Sequence, residues 1–385
     1  MQYEDTRLAD YTEDSSIGRG GFDLPFAIIT LLLLTIGVVM VLSASYARAY
    51  YSDATQHKAT YYFIRQLLFA AAGIGVMLLI SKFPMAFFRR ISPIIMIVAL
   101  VTLLAVPIIG SKINGAKRWI DLGFTTFQPS EIAKIAVIMY FAAMICKYKG
   151  RMKTFRYGIM PFGIILLVIV GLLILEPHFS ASIIIIAIGA VMLYLGGARL
   201  IWFVGGVTAI GGALAIIMTF FPYASDRINT WRDPFSYMQG DGYQIVQSLY
   251  SIGSGGLLGL GLGQSRQKYL YLPEEHNDFI FSVVCEELGF IGAVTILLLF
   301  ALLIIRGYWL AMHMKDRYSF LVTAGITTLL AMQVILNVSV VTNLIPCTGI
   351  SLPFFSYGGT ALLIQLAEMG VILSASRDIP AKSSG

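Results

Sequence analysis

The chain has 385 residues, of which 57% are hydrophobic and only 12% are charged, with a mean hydropathy of +0.79 and a formal net charge of +6. Soluble domains carry about 25% charged residues, so this chain has too few charges to cover the surfaces of soluble domains. The composition therefore predicts a polytopic membrane protein and excludes most soluble enzymes and nucleic-acid-binding proteins. In a membrane chain, an excess of Lys and Arg more often marks cytoplasmic loops than a nucleic-acid partner.

Apolar runs of about 20 residues, the length that crosses a hydrocarbon core of about 30 Å, recur along the chain. They lie at 25–44, 64–83, 92–110, 129–147, 158–175, 179–197, 201–221, 278–305, 318–343 and 356–376. These runs predict an all-α integral membrane protein with about ten transmembrane helices. The domain organisation is a tail at 1–24, a single membrane domain at 25–376 and a second tail at 377–385.

The basic residues indicate the orientation of these spans. Ten spans place both termini on one side of the membrane, and 16 basic residues fall on that side against 10 on the other, with Lys134 inside a span. Cytoplasmic segments carry the excess of Lys and Arg. Both termini are therefore predicted to be cytoplasmic.

One connection, 222–277 on the predicted outer face, is much longer than the others and is rich in Gly and Tyr. Within it, the apolar residues of Tyr243–Ile252 recur at helical spacing, which predicts a helix in the plane of the membrane interface. The glycine-rich tract 253–263 that follows lacks the preceding strand and the GK[ST] ending of a phosphate loop. We interpret this tract as flexible backbone near the membrane surface.

Asp278 lies where the outer loop enters the eighth span and is followed at once by apolar residues. Partial desolvation there raises the pKa and the basicity of a carboxylate, which favours a general base. The alternative is a helix N-terminal carboxylate that is stabilised by the helix dipole.

Ionisable side chains inside spans are costly unless they are paired or hydrated, and they indicate either buried pairs or a polar cavity. At or within the predicted spans they are Glu131, Lys134, Glu176, Glu286, Glu287 and Glu368. Glu131 and Lys134 can pair because they are three residues apart on one helix. A functional interpretation places a polar cavity between the fourth and eighth spans, opening outward; a structural one makes these residues pairs that hold helices together.

The segment 343–360 carries two prolines and three glycines between apolar spans. Irregular backbone at such depth is tolerated only inside protein or facing a cavity, so we predict a re-entrant loop that lines the same cavity. The four His are isolated, and Cys146, Cys285 and Cys347 form no cluster with metal-ligand spacing, so no metal site is predicted and the cysteines are expected to pack within helices.

Three segments together resemble the SEDS family (shape, elongation, division and sporulation), which contains FtsW, RodA and SpoVE. They are Asn114-Gly-Ala-Lys-Arg-Trp-Ile-Asp-Leu-Gly with Gln128-Pro-Ser-Glu-Ile-Ala-Lys134, 267–281 with Glu286-Glu-Leu-Gly289, and Asn337 together with Pro346-x-Thr-Gly-x-x-Leu-Pro-Phe-Phe-Ser-Tyr-Gly-Gly-Thr360. The resemblance covers essentially the whole chain. In one segment His178 stands where the family has an acid and Ser180 where it has a glycine, so no role of that acid is transferred. This segment and the acidic N-terminal tail favour the FtsW/SpoVE branch.

The resemblance implies a peptidoglycan glycosyltransferase that polymerises lipid II at the outer face of the bacterial cytoplasmic membrane. It also implies a class B penicillin-binding protein and other division or elongation proteins as partners. The family's essential loop aspartate matches Asp278, and its outer-loop tryptophan matches Trp119. A lipid II flippase is the main alternative, and a scaffold that only recruits a synthase is a third.

The expected reaction is attack by the acceptor sugar hydroxyl, deprotonated by Asp278, on the donor's anomeric carbon, with undecaprenyl pyrophosphate leaving. Basic side chains on the outer face are the candidates for binding the departing charge; they are Arg118, Lys117, Arg227, Arg232 and Lys268. Glu131 and Lys134 are expected to shape the cavity, and Ser356 of the re-entrant segment is a further substrate-binding candidate. A divalent cation such as Mg²⁺ or Mn²⁺ could assist, although no protein ligand set is visible.

Overall fold

The computed structural model describes residues 20–379, apart from 114–115, 124, 177, 207, 209–228 and 241. Its α-helices are α1 Leu24–Tyr51, α2 Tyr61–Ile80, α3 Met85–Ile109, α4 Pro129–Lys147, α5 Phe155–Gly158, α6 Met160–Leu175, α7 Phe179–Leu195, α8 Tyr243–Ser254, α9 Ile280–Met312, α10 Arg317–Val341 and α11 Gly359–Ser376. The strands are β1 Ser111–Ile113, β2 Ala116–Asp121 and β3 Thr126–Phe127, and short 3₁₀ turns lie at Asp53–Thr55 and Pro234–Tyr237.

The predicted all-α membrane architecture is confirmed. Within the described residues, eight helical stretches are long and apolar enough to cross a membrane, and α7 is a shorter apolar helix. These nine correspond to nine of the ten predicted spans. The seventh, 201–221, lies almost wholly outside the described residues, although 201–206 is helical.

The helices divide into a buried centre and a lipid-facing periphery. In the most apolar stretch of α4, 72% of the residues are buried, against 22% in α2. The peripheral α2 packs against α11, and the peripheral α3 packs against α4. The polar residues carried by α4, α10 and α11 therefore lie inside the bundle, where a cavity can form between them.

Helix starts are set by short side chains. The Asp23 carboxylate accepts a hydrogen bond from Phe26 N at 2.9 Å and caps α1, and Asp316 does the same for Ser319 N at 3.1 Å at the start of α10. Such caps satisfy amides that have no partner within the helix. Asp23 also accepts two hydrogen bonds from the Arg306 guanidinium of α9, at 3.1 and 2.6 Å, which ties α1 to α9 at this end.

The connection after α3 contains a small antiparallel sheet in the order β1-β2-β3, which the sequence analysis does not predict. In its register Trp119 pairs with Ser111, and Ile120 pairs with Phe127. Strands of two to six residues are too short to give a clear alternating pattern in the sequence. The sheet fixes Arg118 and Trp119 on a paired strand beside the bundle.

The helix predicted at Tyr243–Ile252 is confirmed as α8. Its buried residues include Ile245, Val246 and Ser248, and the helix packs against α9. Its apolar face therefore contacts protein, whereas its position in the membrane interface stays a prediction.

The interpretation of the glycine-rich tract as flexible backbone is wrong, because the tract is hydrogen-bonded into a break in α9. Gly289 has φ 68° and ψ −171° inside that helix. At this break Phe290 N and Ile291 N donate to Gly256 O and Leu257 O, at 2.9 and 3.2 Å. Close contact of two backbones explains the glycines, since a Cβ on Gly289 would lie 2.2 Å from Gly259 N.

Glu286 and Glu287 are hydrogen-bonded to the same outer loop, which favours the structural interpretation of these two carboxylates. The Glu287 carboxylate pairs with Lys268 Nζ at 2.9 Å and accepts a hydrogen bond from Ser43 Oγ at 2.6 Å. Glu286 accepts from Ser265 Oγ at 2.6 Å and from Arg266 N at 2.9 Å. Buried carboxylates of this kind persist because every oxygen has a donor.

Candidate functional site

A cavity of about 660 Å³ lies at the end of the bundle where α9 begins. Its walls come from β2 and β3, the N-terminal turns of α4, α7 and α11, the loop 274–279 and the irregular segment 347–358. Asp278, Glu131 and Lys134 all contribute to the lining. The predicted polar cavity between the fourth and eighth spans is thus present, and the segment after α10 lines it as expected.

The backbone of Asp278 is held by an amide from the bundle core. Asn337 Nδ2, on α10, donates to Asp278 O at 2.8 Å and to Ile350 O at 2.6 Å, so one fully buried side chain joins the two loops of the site. Gly349 has φ +64°, and a Cβ at this position would lie 3.3 Å from Asp278 Oδ2. The carboxylate therefore lies directly against the backbone of the re-entrant segment.

The preceding residues of the Asp278 loop are fixed by the same segment. Ser356 Oγ donates to Asn277 O at 2.8 Å and accepts from Leu352 N at 2.7 Å. Tyr357 N donates to His276 O at 2.9 Å. Ser356 lines the cavity as predicted, and its hydroxyl is engaged in shaping the loop.

Arg48, near the end of α1, forms a second attachment for this loop. Its Nε and Nη2 donate to the two oxygens of the fully buried Glu275 carboxylate, both at 2.8 Å. The His276 ring contacts Tyr62 of α2 at a centroid distance of 4.8 Å. A bidentate charge-assisted pair and a ring contact restrict the orientation of the residues that lead to Asp278.

Burial raises the pKa of Asp278 to about 6, with a further contribution from the negative charge of Glu274; Arg118 and His276 oppose the shift. The side chain is partly exposed to the cavity. A carboxylate with this pKa is largely ionised at neutral pH and is more basic than an ordinary aspartate. It is therefore suited to accept a proton from a hydroxyl group.

Besides Ser356, four other predicted site residues share the cavity with Asp278. Arg118 and Trp119 come from β2, and Glu131 and Lys134 come from the first turns of α4. The predicted pair is confirmed, with Lys134 Nζ 2.8 Å from the Glu131 carboxylate. The cavity thus contains a carboxylate base candidate, a guanidinium group and a buried ion pair.

Three predicted cationic residues lie outside the cavity lining. Lys117 is exposed on β2, consistent with the opposite directions of successive side chains on a strand, and Arg232 is exposed beside the Pro234–Tyr237 turn. Lys268 is buried and does not line the cavity. Its Nζ pairs with the Glu287 carboxylate and donates a hydrogen bond to Ser43 Oγ. Arg227 lies outside the described residues.

Several cavity residues were not selected from the sequence. Gln333 and Gln365 line the cavity and are uncharged amides within spans, whereas the sequence prediction of costly intramembrane groups covered only charged side chains. Buried amides also require partners, so extending the same criterion to Asn and Gln would have found them. Gln128 directly precedes α4 and lines the same wall.

His178 occupies the N-cap position of α7 and lines the cavity. Burial, together with the positive charges of Arg118 and Lys134, lowers the pKa of His178 to about 3, so the imidazole is neutral at physiological pH. Its Nε2 lies 3.4 Å from Gln128 Nε2. The His178 imidazole is therefore a neutral hydrogen-bonding group in the cavity wall, close enough to Arg118 and Lys134 to be affected by their charges.

Glu176 lies behind this wall, and neither oxygen of its carboxyl group has a hydrogen-bond partner among the described residues. Burial raises its pKa to about 8, opposed by Arg118. The group is therefore mainly protonated at neutral pH, and it is not part of the cavity lining.

A smaller cavity of about 350 Å³ adjoins the first and shares Gln244 and Cys347 with it. Trp231 and Tyr243 contribute aromatic surface to this second cavity. Trp231 and Asn343 are joined by two reciprocal hydrogen bonds of 3.1 Å each. Among the described residues, no group of three or more His, Cys, Asp or Glu side chains is arranged to hold a metal ion.

The chain is similar to known proteins over nearly its whole length. A family model described as "Cell cycle protein" and named for FtsW, RodA and SpoVE matches residues 24–379. Stage V sporulation protein E of Bacillus subtilis (strain 168) is 41% identical over 359 residues, covering 92% of this chain and 97% of that protein. A probable peptidoglycan glycosyltransferase FtsW of Trichlorobacter lovleyi is 38% identical over 357 residues, covering 92% and 93%.

Two solved structures are also similar. One, described as "Structural coordination of polymerization and crosslinking by a peptidoglycan synthase complex", has a TM-score of 0.77 at 26% identity and covers 93% of this chain and 98% of that chain. The other is the rod shape determining protein RodA of Thermus thermophilus, with a TM-score of 0.68 at 25% identity and coverage of 94% and 98%. The chain is a multi-pass membrane protein, and it belongs to the FtsW/RodA/SpoVE family, the SEDS family that its motifs indicate.

Proposed function

We propose that this chain, a peptidoglycan glycosyltransferase, polymerises lipid II into glycan strands at the outer face of the bacterial cytoplasmic membrane, for division or sporulation or for elongation, with Asp278 as the general base. The observation that carries the proposal is the placement of Asp278 and Arg118 in one cavity of about 660 Å³. Sites for small molecules have volumes of about 300–1,000 Å³, so this cavity can hold the reacting sugars. The adjoining second cavity suits a reaction that joins two bulky substrates.

In the proposed reaction, Asp278 accepts the proton of the GlcNAc 4-hydroxyl of the acceptor lipid II. The oxygen forms a bond to the anomeric carbon of the donor MurNAc, and the bond from that carbon to the pyrophosphate oxygen breaks with inversion. The electron pair and negative charge leave with undecaprenyl pyrophosphate. A second carboxylic acid is not needed, because a pyrophosphate leaves without protonation, in contrast to the glycosidic oxygen in hydrolases.

Arg118 is the candidate for stabilising the departing charge, because a guanidinium group can donate two hydrogen bonds to a phosphate. Trp119, adjacent on the same strand, offers an aromatic face to a sugar or lipid. Glu131 and Lys134 polarise the opposite wall as a buried pair. Lys117, Arg227 and Arg232 stay candidates for the entrance, and Lys268 is assigned to holding the outer loop.

The orientation belongs to the same proposal. Both termini are cytoplasmic by the distribution of Lys and Arg, which places Asp278 and the cavity at the outer face. A class B penicillin-binding protein, which cross-links glycan strands, is the proposed partner, together with other division or elongation proteins. No step of the proposed reaction uses a divalent cation.

The test is reconstitution of the full chain in lipid vesicles with purified lipid II, with and without the penicillin-binding partner. We expect glycan strands from the wild-type chain and none from Asp278→Asn, with Gly253→Ala as a matched control that keeps wild-type activity. Melting temperature and circular dichroism establish that the variants are folded. Parallel reactions with EDTA or added Mg²⁺ decide whether a metal ion is required.

The flippase is tested in the same vesicles by the movement of fluorescent lipid II between leaflets. A polar cavity and broken helices are also compatible with transport. Lipid movement that is unchanged by Asp278→Asn, with no glycan strands under any condition, would replace the polymerase assignment by transport. An absence of both activities in the chain alone, with polymerisation only by a partner enzyme, would assign the chain as a scaffold.

A further inference from the structure

The glycine-rich tract 253–263 forms an apolar surface that the catalytic proposal does not use. It contains no charged residue. Leu257 and Leu258 are 69% and 79% exposed, and Leu260 and Leu262 are exposed as well. The leucines project from a backbone that is well ordered by its hydrogen bonds, so their exposure is a property of the folded chain.

The hydrogen bonds of the tract satisfy backbone groups of α9 that lose their helical partners at the break. In a continuous helix Phe290 N would donate to Glu286 O, and Ile291 N would donate to Glu287 O. Here Leu260 N and Gly261 N donate to those two carbonyls, at 2.9 and 3.0 Å, while Phe290 N and Ile291 N donate to Gly256 O and Leu257 O. The tract therefore supplies a partner for each of the four groups that the break at Gly289 leaves without one.

Such pairing is a requirement for irregular backbone at membrane depth, because hydrocarbon offers no hydrogen bonds. The depth can be estimated from α9, whose continuous part after the break at Gly289 runs to Met312 and is therefore about 35 Å long. A hydrocarbon core of about 30 Å takes only about 20 helical residues. Arg306 and Trp309, which form a cation–π contact at 4.2 Å, mark one interface on this helix.

Counting about 20 residues back from Arg306 places the other boundary of the hydrocarbon near Glu286 and Glu287. The tract is hydrogen-bonded to α9 at this level and just below it. Its exposed leucines are continuous with Phe290 and Ile291, which are 63% and 55% exposed on a membrane-spanning helix. The tract thus extends the lipid-facing surface of α9.

We propose that the tract 253–263 is a membrane-inserted loop whose leucines contact the acyl chains at the edge of the hydrocarbon, on the cavity side of the bilayer. The lack of charge and the absence of free amides at 259–261 favour lipid over a protein partner, whose binding surface would normally have a polar rim. The tract connects α8, which carries the cavity residue Gln244, to the loop that ends in Asp278. Lipid contact by the tract would therefore anchor the connection between α8 and the Asp278 loop at the membrane.

The experiment uses an environment-sensitive fluorophore attached to single cysteines in the full chain, after Cys146→Ser, Cys285→Ala and Cys347→Ser. Labelled Leu258→Cys and Leu262→Cys report on the tract. Leu298→Cys, on the exposed face of α9, is the control for lipid exposure. Asp53→Cys is the control for water exposure, since the Asp53 side chain is 99% exposed in the loop after α1.

The labelled chains are reconstituted in phosphatidylcholine nanodiscs that contain lipids with a nitroxide near the top of the acyl chain. We expect Leu258→Cys and Leu262→Cys to be quenched several-fold more than Asp53→Cys and at least as strongly as Leu298→Cys, which lies nearer the middle of the bilayer, and to be protected from iodide. Quenching by iodide instead of lipid would overturn the proposal. Protection from both quenchers would also overturn it, by assigning the surface to contact between copies of the chain.

The same quenching measurement, repeated with the penicillin-binding partner present, completes the test. Loss of lipid quenching when the partner is added at saturation would assign the surface to that protein and reject the lipid contact in the complex. The measurement requires no lipid II, so its outcome is independent of whether the chain polymerises.

Discussion

At the scale of single residues, the central feature is a carboxylate whose environment is set by three separate segments. Asp278 lies against Gly349 of the re-entrant segment, its backbone is held by Asn337 of α10, and Arg118 of β2 acts on its charge. Glu274 and His276 are the titratable groups of its own loop that affect it. A general base is effective when its pKa is close to, but below, the working pH, and this set of neighbours places Asp278 there.

The first prediction concerns the pH dependence of polymerisation. Because only ionised Asp278 can accept a proton, the rate should be constant above about pH 6 and fall about tenfold for each unit below it. In Glu274→Gln the midpoint should move to lower pH, since the Glu274 charge is one cause of the raised pKa. The measurement is the initial rate of strand formation across buffers of equal ionic strength. A midpoint of the pH–rate profile that is the same in Glu274→Gln as in the wild-type chain would contradict this account of the pKa.

At the scale of elements, the site depends on loops that are tied to distant helices. The Asp278 loop is attached to α1 by Arg48 and to α10 by Asn337, and the outer loop is attached to α9 by Lys268 and by the glycine tract. None of these attachments is local in sequence. They convert irregular backbone into fixed walls, as a site with defined geometry requires.

The second prediction concerns the ion pair between α1 and the loop. Arg48→Met leaves the buried Glu275 carboxylate without its two hydrogen bonds, which should cost about 1.5–3 kcal/mol of stability. Because the loop leads to Asp278, the polymerisation rate should fall as well. Arg306→Met, which removes the comparable pair with Asp23 at the other end of the bundle, should lower stability while the rate stays near that of the wild-type chain.

Thermal unfolding in detergent and initial rates in vesicles measure the two effects. A wild-type rate for Arg48→Met would show that this attachment does not position the loop. The double variant Arg48→Met with Glu275→Gln should recover part of the lost stability, because the buried charge is then removed.

The third prediction concerns the break in α9. In Gly289→Ala a Cβ would lie 2.2 Å from Gly259 N, at a residue with φ 68°, so the tract and the helix cannot both keep their positions. The backbone strain alone should cost about 1–3 kcal/mol. Gly253→Ala is the matched control, because nothing lies within 4 Å of the added Cβ.

Hydrogen exchange of the Leu260 and Gly261 amides is the direct measurement, together with the melting temperature. Both amides should exchange faster in Gly289→Ala and stay protected in Gly253→Ala. Equal protection in the two variants would mean that the tract does not depend on the break.

At the scale of the whole molecule, the fold places a buried polar centre inside an apolar periphery. The peripheral α2 and α3 present apolar side chains to lipid, and α4, α10 and α11 bring their polar groups together. The cavity opens where two long irregular segments meet at one end of the bundle. In the proposed reaction, this arrangement would let a lipid-anchored sugar reach Asp278 while its lipid stays in the membrane.

The fourth prediction concerns topology. In a chain without its native cysteines, Asp53→Cys should react with a membrane-impermeant maleimide on intact cells, because it lies on the cavity side. Lys149→Cys, after α4, should react only after the membrane is permeabilised. The reverse pattern would place the cavity at the cytoplasmic face and contradict polymerisation at the outer face.

The sequence by itself determined the membrane class, the positions of the nine spans that lie within the described residues, and the family. These properties depend on local apolar runs of span length and on motifs whose residues lie close together in the chain. It also identified Asp278, Glu131 and Lys134, because charge inside or beside a span is rare enough to be informative. The β1-β2-β3 sheet was too short to predict from any pattern.

Only the tertiary structure decided which of the charged residues face the cavity. Lys134 and Lys268 are both lysines at or near a membrane span, yet Lys134 lines the cavity whereas Lys268 is buried against Glu287 and Ser43. The glycine tract looked flexible because glycine favours disorder in isolation, but a break in α9 supplies partners for its backbone. The physical reason is the same in both cases. A buried charge or amide is stable only with a partner, and that partner can come from a segment far away in the chain, so composition and spacing alone do not identify it.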